Sequence, residues 1–266
     1  MAQGETVTNT YPISELFGPT RQGEGPQAGL ETYFCRFAGC DWDCSWCDTK
    51  YAVLPKYPGW HKTMLSVEQI ATALHSKGIQ RGDWITLSGG NPALFVDEEF
   101  TFHMTGKGYR LAMETQGSEK GKLTPAVNNA IDCLVVSPKP PSSGMQDRYD
   151  LHNIRDLVMY RNNNLITAIK FVAFTDEDLD WIYDRYVEID ADMGAKSNIQ
   201  WFLSVGTPLI MPKSETLDPV EVVRLQISEN LATFWLKSLD DPAHRFKAFK
   251  ILPQMHSLVW GQKTGV

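Results

Sequence analysis

From residue 66 onward, short apolar segments rich in β-branched and aromatic residues alternate with amphipathic ones. That alternation restricts the fold more than any other feature of the chain. Strands are expected at 84–88, 109–114, 133–137, 167–174, 200–205 and 245–252, with an earlier one at 32–37. Helices are expected between them. Ser66-Val67-Glu68-Gln69 reads as a capping box, and Val67, Ile70, Ala71 and Leu74 follow at helical spacing up to Gly78. A helical turn is expected from Asp97, with Phe100 and Met104 facing inward. Segment 150–161 is amphipathic through Leu151, Ile154 and Val158, and a helix from Thr175 carries Leu179, Ile182, Tyr183 and Tyr186. Asp218-Pro219 supplies an N-cap and first-turn pair for the longest helix, to about residue 239.

Strands separated by helices argue for a parallel sheet. Polar or glycine residues follow nearly every strand: Ser88-Gly89, Glu114-Thr115, Ser137-Pro138, Ser204-Val205-Gly206 and Pro253-Gln254. In parallel α/β folds, ligand sites gather at that edge. About six strands after the cysteine-rich loop are too few to close an eight-stranded barrel. The expected fold class is therefore α/β, a partial, open parallel β/α barrel, in a single domain over residues 1–266.

Composition removes several classes of function. The net charge of −7 disfavours a broad phosphate-binding surface, and the eight Trp fall one per segment rather than in a stacking stripe. Nucleic acid is not an expected partner. Residues 1–10 lack the basic and apolar regions of a signal peptide, and no apolar run approaches the roughly 20 residues that span a bilayer. A soluble, cytoplasmic protein with no membrane partner is expected. Five cysteines, three of them within eight residues, indicate metal or redox use rather than a disulfide framework.

Those three, Cys40, Cys44 and Cys47, have C-x3-C-x2-C spacing within 37–49. Structural zinc needs four closed ligands, and only one C-x2-C pair is present; Cys35, a possible fourth, falls inside a strand. An electron-transfer iron–sulfur cluster meets the same objection. The third reading is a four-iron cluster on three cysteines with one iron open to another ligand. Elsewhere, residue type alone gives plainer readings. The Gly- and Pro-rich segment 18–25 reads as an exposed turn carrying Gln22 and Glu24, and Arg36 as a strand arginine in a surface ion pair. Thr49 suits a helix N-cap, Cys133 a core thiol, Cys35 a core or pocket-wall residue, and Asp176-Glu177-Asp178 a charged helix start. His61, His75, His103, His152 and His244 have no ligand spacing.

The cysteine spacing, Trp46 before the last cysteine, and Gly89-Gly90-Asn91-Pro92 after the next strand resemble the radical S-adenosylmethionine superfamily. The superfamily's fourth motif reads Gly-Gly-Glu-Pro, so Asn91 departs from it and removes any carboxylate role there. Further segments resemble the 7-carboxy-7-deazaguanine synthase family, from residue 13 to the C-terminus. They are 17–25, 34–40, Cys47-Asp48-Thr49, Glu114-Thr115-Gln116-Gly117, Ser137-Pro138-Lys139-Pro140-Pro141 and Leu252-Pro253-Gln254-Met255-His256.

The resemblance implies conversion of 6-carboxy-5,6,7,8-tetrahydropterin to 7-carboxy-7-deazaguanine and ammonia, by a 5′-deoxyadenosyl radical that abstracts from C6 and regenerates S-adenosylmethionine. It implies a 4Fe-4S cluster on Cys40, Cys44 and Cys47, with S-adenosylmethionine beside Trp46, Asp48 and Gly90. Glu114 would bind its ribose hydroxyls, with Ser137, Lys139 and Ser204 on the remaining strand ends. Substrate would meet Gln22, Gly23 and Glu24 at its polar edge, Arg36 at its carboxylate, Ser88, and the terminal carboxylate of Val266. Thr49 would bind Mg²⁺. Gln254 and His256 lie near that tail, where packing is the alternative role. A flavodoxin or ferredoxin reductant and a homodimer are the implied partners. The rivals are a radical activating enzyme, which has no use for a pterin clamp, and a non-enzymatic zinc or iron–sulfur protein.

Overall fold

The computed structural model describes residues 9–118, 123–194, 198–207 and 219–260. Nine strands form one sheet in the order β3-β1-β2-β4-β5-β6-β7-β8-β9. Along the chain they are β1 (Thr10–Arg21), β2 (Glu31–Phe37), β3 (Thr63–Ser66), β4 (Trp84–Gly89), β5 (Arg110–Thr115), β6 (Cys133–Val136), β7 (Ile166–Ala173), β8 (Ile199–Val205) and β9 (Phe249–Pro253). From β2 through β4 to β9 every neighbouring pair is parallel, while β1 runs antiparallel to both β2 and β3. The two edge strands β3 and β9 do not pair with each other, so the sheet is open.

The helices are α1 (Val67–Ser76), α2 (Glu98–Gly106), α3 (Pro125–Ala130), α4 (Leu151–Met159), α5 (Asp176–Met193), α6 (Pro219–Asp240) and α7 (Met255–Trp260). Local chemistry starts α1, α2, α4 and α5 where the sequence predicts, while Asp218, the expected N-cap of α6, lies outside the described residues and the short helices α3 and α7 are additions. Ser66 and Gln69 form a reciprocal capping box on α1, Asp97 and Asp150 cap α2 and α4, and Thr175 with Asp178 forms a second capping box on α5. The apolar stripe of α1, Val67, Ile70, Ala71 and Leu74, is buried.

Three expectations need correction. Residues 10–21 are a strand, which takes in Gly18 to Arg21 of the segment expected as an exposed turn; a register shift between Phe17 and Thr20 absorbs the turn-forming residues. The turn itself is buried, with Gln22 and Glu24 only 6% and 8% exposed. The last strand begins at Phe249, since 241–248 is a chain of turns, and β1 with the short edge strand β3 adds two to those expected.

The two faces of the sheet have separate cores. Alternate residues such as Cys35, Phe37, Ile169, Phe171 and Ala173 join the main core, shared with Leu74 of α1, Ile154 of α4 and Ile182 of α5. The other face carries a smaller apolar floor of Trp84, Ala112, Cys133, Val135, Ala168 and Phe202. Toward the C-terminal ends that face turns polar: Trp84-Thr86-Ser88, Ala112-Glu114-Gln116, Val135-Ser137-Lys139 and Ala168-Lys170-Val172 are same-face series of period two. The turn after β1 packs against β7 and β8.

Candidate active site

A cavity of about 530 Å³ lies at the C-terminal edge, lined from within or just beyond β1, β2 and each strand from β4 to β9. It brings together Gln22, Gly23, Glu24, Arg36, Cys40, Cys44, Trp46, Cys47, Asp48, Thr49, Ser88, Gly90, Glu114, Ser137 and Lys139. Of the other sequence candidates, Ser204 is buried in β8, where the cavity is lined by Thr207 instead. Val266 lies outside the described residues.

The cysteine loop is tied down from two sides. On one, Gly90 N–H donates to the Phe37 carbonyl (2.9 Å) and Asn91 N–H to the Gly39 carbonyl (2.8 Å). A Cβ on Gly90 would stand 1.9 Å from the Gly39 carbonyl oxygen, so only glycine permits this approach. On the other, the Ser45 hydroxyl donates to the Ser142 carbonyl (2.7 Å) and the Trp46 indole N–H to the Ser142 hydroxyl (2.9 Å). The Ser142 backbone N–H in turn donates to Asp178, whose carboxylate also accepts from Phe174 N–H at the start of α5. Asp178 is therefore a helix-start anchor, as its residue type suggests.

Asn91 has a structural task of its own. Its side-chain oxygen accepts from the Thr115 hydroxyl (2.9 Å), and its amide nitrogen donates to Asp41 (3.1 Å). A glutamate there would set a second carboxylate against Asp41. Gln116 Nε2 also donates to Asp41 (2.7 Å) and lies 3.4 Å from Cys40 Sγ, a sulfur that the Trp42 backbone N–H approaches at 3.4 Å as well.

Burial pushes the Cys40 thiol up to about 12 and the Cys47 thiol up to about 11, and it raises Cys44 as well. Such thiols stay protonated at neutral pH unless a metal cation takes the place of the proton. Among the described residues no three His, Cys, Asp or Glu groups are arranged to hold a single ion. A lone zinc would need its thiolates within about 4 Å of one another. All three cysteines line the same cavity, and two N–H donors, from Trp42 and Gln116, approach Cys40 Sγ as the surroundings of an iron–sulfur cluster require, so the donor set fits that group. Cys35 belongs to the helix-side core, which removes it as a fourth ligand, and Cys133 is a floor residue.

The rest of the lining is built differently. Arg36 Nε donates to Glu15 (2.8 Å), which also accepts from the Tyr51 hydroxyl (3.0 Å), and the guanidinium lies beside the Phe17 and Tyr51 rings. No described residue bonds its two terminal nitrogens. In β-sheet register Arg36 pairs with Ser88, whose buried hydroxyl has no hydrogen-bond partner among the described residues. The Thr207 hydroxyl is in the same condition. Thr49 occupies the N-cap position of a single 3-10 turn, but its side chain makes no capping bond; the hydroxyl lies 3.6 Å from Cys47 Sγ. Gln22 donates to Glu114 at 3.2 Å.

Glu24 is ion-paired with Lys170 and accepts from Gln254 Nε2. Burial pushes its carboxyl up, but Lys170, His256 and these hydrogen bonds outweigh that and hold it at about 2. Lys170 was not a sequence candidate. Its sole signal is a lysine in the otherwise apolar run Ala168-Ile169-Lys170-Phe171-Val172. Gln254 and His256 do line the cavity: Met255 N–H donates to the Gly23 carbonyl (3.1 Å), and His256 packs so closely that a Cβ on Gly23 would meet its Nδ1 at 2.5 Å.

No family model matches the chain. It is 32% identical over 262 residues to the 7-carboxy-7-deazaguanine synthase of Bacillus cereus, covering 96% of this chain and 98% of the relative. It is also 32% identical over 263 residues to that of Bacillus subtilis, with the same coverage. Among solved structures it resembles QueE from Escherichia coli, with a TM-score of 0.57 and 21% identity over 93% of this chain and 95% of that one, a likeness of fold. The full-length identity to these relatives, joined to a cavity in which three cysteines face the Gln22–Glu24 turn and Arg36, establishes that the chain belongs to the 7-carboxy-7-deazaguanine synthase family.

Proposed function

We propose that this cavity converts 6-carboxy-5,6,7,8-tetrahydropterin to 7-carboxy-7-deazaguanine and ammonia, a ring contraction whose atoms balance with no net oxidant. The observation that carries the reading is one cavity holding a cluster loop, an arginine fork and a buried carboxylate turn. The cluster on Cys40, Cys44 and Cys47, with S-adenosylmethionine, supplies hydrogen-abstracting radical chemistry when bound.

The protein's own work is to orient the substrate and exclude water. Glu24 is ionised, and each of its oxygens keeps a lone pair beyond the bonds it makes, so it suits the adjacent N–H donors of a 2-amino-4-oxo ring. Gln22 and Gly23 complete that turn. Arg36, fixed through Nε by Glu15, has terminal nitrogens suited to the substrate carboxylate. The orphan Ser88 hydroxyl beside it gains a partner when substrate is present. Thr49 would offer a hard oxygen to Mg²⁺, which when bound would supply polarisation of the substrate carboxylate. For S-adenosylmethionine we assign Trp46, Asp48, the Gly90 backbone, Glu114 for the ribose, and Ser137 and Lys139; Ser204, buried in β8 outside the cavity lining, is left out.

We further propose a single domain whose N-terminal turn and C-terminal segment, through Gln254 and His256, close the site. A flavodoxin or ferredoxin is the proposed reductant. A homodimer is supported by the exposed Leu225, Leu236 and Leu239 along one side of α6. No helix among the described residues is long and apolar enough to cross a membrane, and the proposed location is the cytoplasm. The test is anaerobic reconstitution, then turnover with S-adenosylmethionine, Mg²⁺ and reductant. Deazaguanine absorbance with equimolar ammonia is expected; its absence from a protein loaded with about four irons contradicts the reading.

A further inference from the structure

Among the described residues Lys170 is the only buried lysine, at 6% exposure, and it sits in the interior of a parallel strand. A buried ion pair is weak support for stability, because a well-packed apolar pair does as well. The fold alone therefore gives no reason for an ammonium here. Its position gives one. Lys170 lies on the concave face and binds one oxygen of Glu24, while Gln254 Nε2 binds the other. Gln254 is itself fixed, its oxygen accepting from Thr207 N–H at 3.0 Å. Both carboxylate oxygens are thus engaged from the floor and from the tail, and the carboxylate borders the cavity as an oriented anion.

The groups that set this charge come from every packed element. Lys170 is on β7, His256 and Gln254 follow β9, and the charges of Glu114 from β5 and Asp48 from the cysteine loop act on Lys170. Burial pushes Lys170 down, but Glu24 and these other carboxylates outweigh that and raise it. A carboxylate desolvated to this degree and stripped of its cation would instead take up a proton. A neutral acid presents one donor and one acceptor oxygen, and no longer matches two adjacent N–H groups.

We propose that Lys170 is a positioning and specificity-determining residue, which holds Glu24 as an oriented carboxylate so that the cavity selects rings with a 2-amino group beside a ring N–H and rejects 2-oxo counterparts. The inference rests on the reading that Glu24 meets the pterin edge. It assigns Lys170 no proton transfer and no contact with the reacting carbon.

The test is calorimetric titration of the cluster-loaded protein with 6-carboxypterin and with 6-carboxylumazine, its 2-oxo counterpart, between about pH 5.5 and about pH 7.5. Wild type is expected to bind the pterin with a flat profile and to prefer it by about tenfold or more. In Lys170→Met, pterin affinity should fall by about tenfold from the upper to the lower pH, and the preference should shrink with it. Lys170→Gln reads the same slope if the methionine variant does not fold, as judged by iron content and melting. The Glu24→Gln/Lys170→Met double variant has no carboxylate at this position to titrate and should bind weakly with no slope. A slope persisting in the double variant belongs to another group and overturns the inference. A flat profile with undiminished preference in the single variants overturns it too. Failure of wild type to bind 6-carboxypterin at all would instead refute the pterin reading beneath it.

Discussion

The two ends of the cavity are opposites in how their polar groups are satisfied. At the Glu24 end every charge has its partner: Lys170, Gln254 and the tail close around the carboxylate. At the cysteine end three thiols are pushed up by burial, and two buried hydroxyls have no described partner, Ser88 in register with Arg36 and Thr207 beside Gln254. The first end is organised by the chain alone, whereas the second is organised to be finished by something the chain binds. A fold can carry such a contrast because the ends hang on different elements. The Glu24 end is held by β1, β7 and β9, and the cysteine end by glycine backbone at β4 and the 137–143 segment.

The contrast can be broken at either end. The largest effect is expected from Cys40→Ala, Cys44→Ala or Cys47→Ala, each of which should abolish cluster binding and turnover while leaving 6-carboxypterin affinity nearly intact, read by iron analysis beside calorimetry. Gly90→Ala comes next. Its methyl would press on the Gly39 carbonyl, so the cysteine loop must shift, at a cost on the order of 1–3 kcal/mol in melting experiments and with most of the bound iron lost. Arg36→Lys keeps the charge but loses the fork, and should raise KM by about tenfold to a hundredfold with kcat less affected. The smallest effect is expected from Thr49→Ala, which should weaken the response of rate to Mg²⁺ by a few fold while retaining iron. Equal loss of iron in Thr49→Ala would move that residue to the cysteine end of the comparison.

Acid and base sharpen it further. Glu24 is held at about 2 against an ordinary 4.5, so its contribution to stability is fully present above 4.5 and is lost as pH falls through about 2. Lys170 is raised above its ordinary 10.5, so its contribution is present below that value and is lost as pH rises through the higher folded one. Melting temperature in the Glu24→Gln/Lys170→Met double variant should accordingly show a flatter acid limb than wild type.

Most of the alternating strands and helices were legible because α1, α2, α4 and α5 carry their own start signals and the inner strands their own apolar runs, as at Ser66–Gln69 and in β7. The short α3, α7 and exposed edge strand β3 carry neither an amphipathic stripe nor an apolar run long enough to read. β1 was not legible either, since Gly18 and Pro19 announce a turn. The strand tolerates them through a register shift, with Gly18 at a positive φ where a Cβ would stand 2.9 Å from Tyr33 Cα. The cysteines, the glycine pair and the 22–24 turn were readable as motifs because their spacing is local. Lys170 had no such spacing: its partner lies 146 residues away and is found only once the sheet places β7 beneath the turn. The exposed-turn reading of Gln22 and Glu24 failed for the same reason, because composition does not report what a distant strand covers.

The central claim is that one end is preformed and the other awaits its cofactors. The most direct test is calorimetric binding of 6-carboxypterin to cluster-free and cluster-loaded protein in the same buffer. The predicted result is affinities within about threefold of one another, a difference of well under 1.4 kcal/mol. Binding that appears only after the cluster is installed would contradict the account.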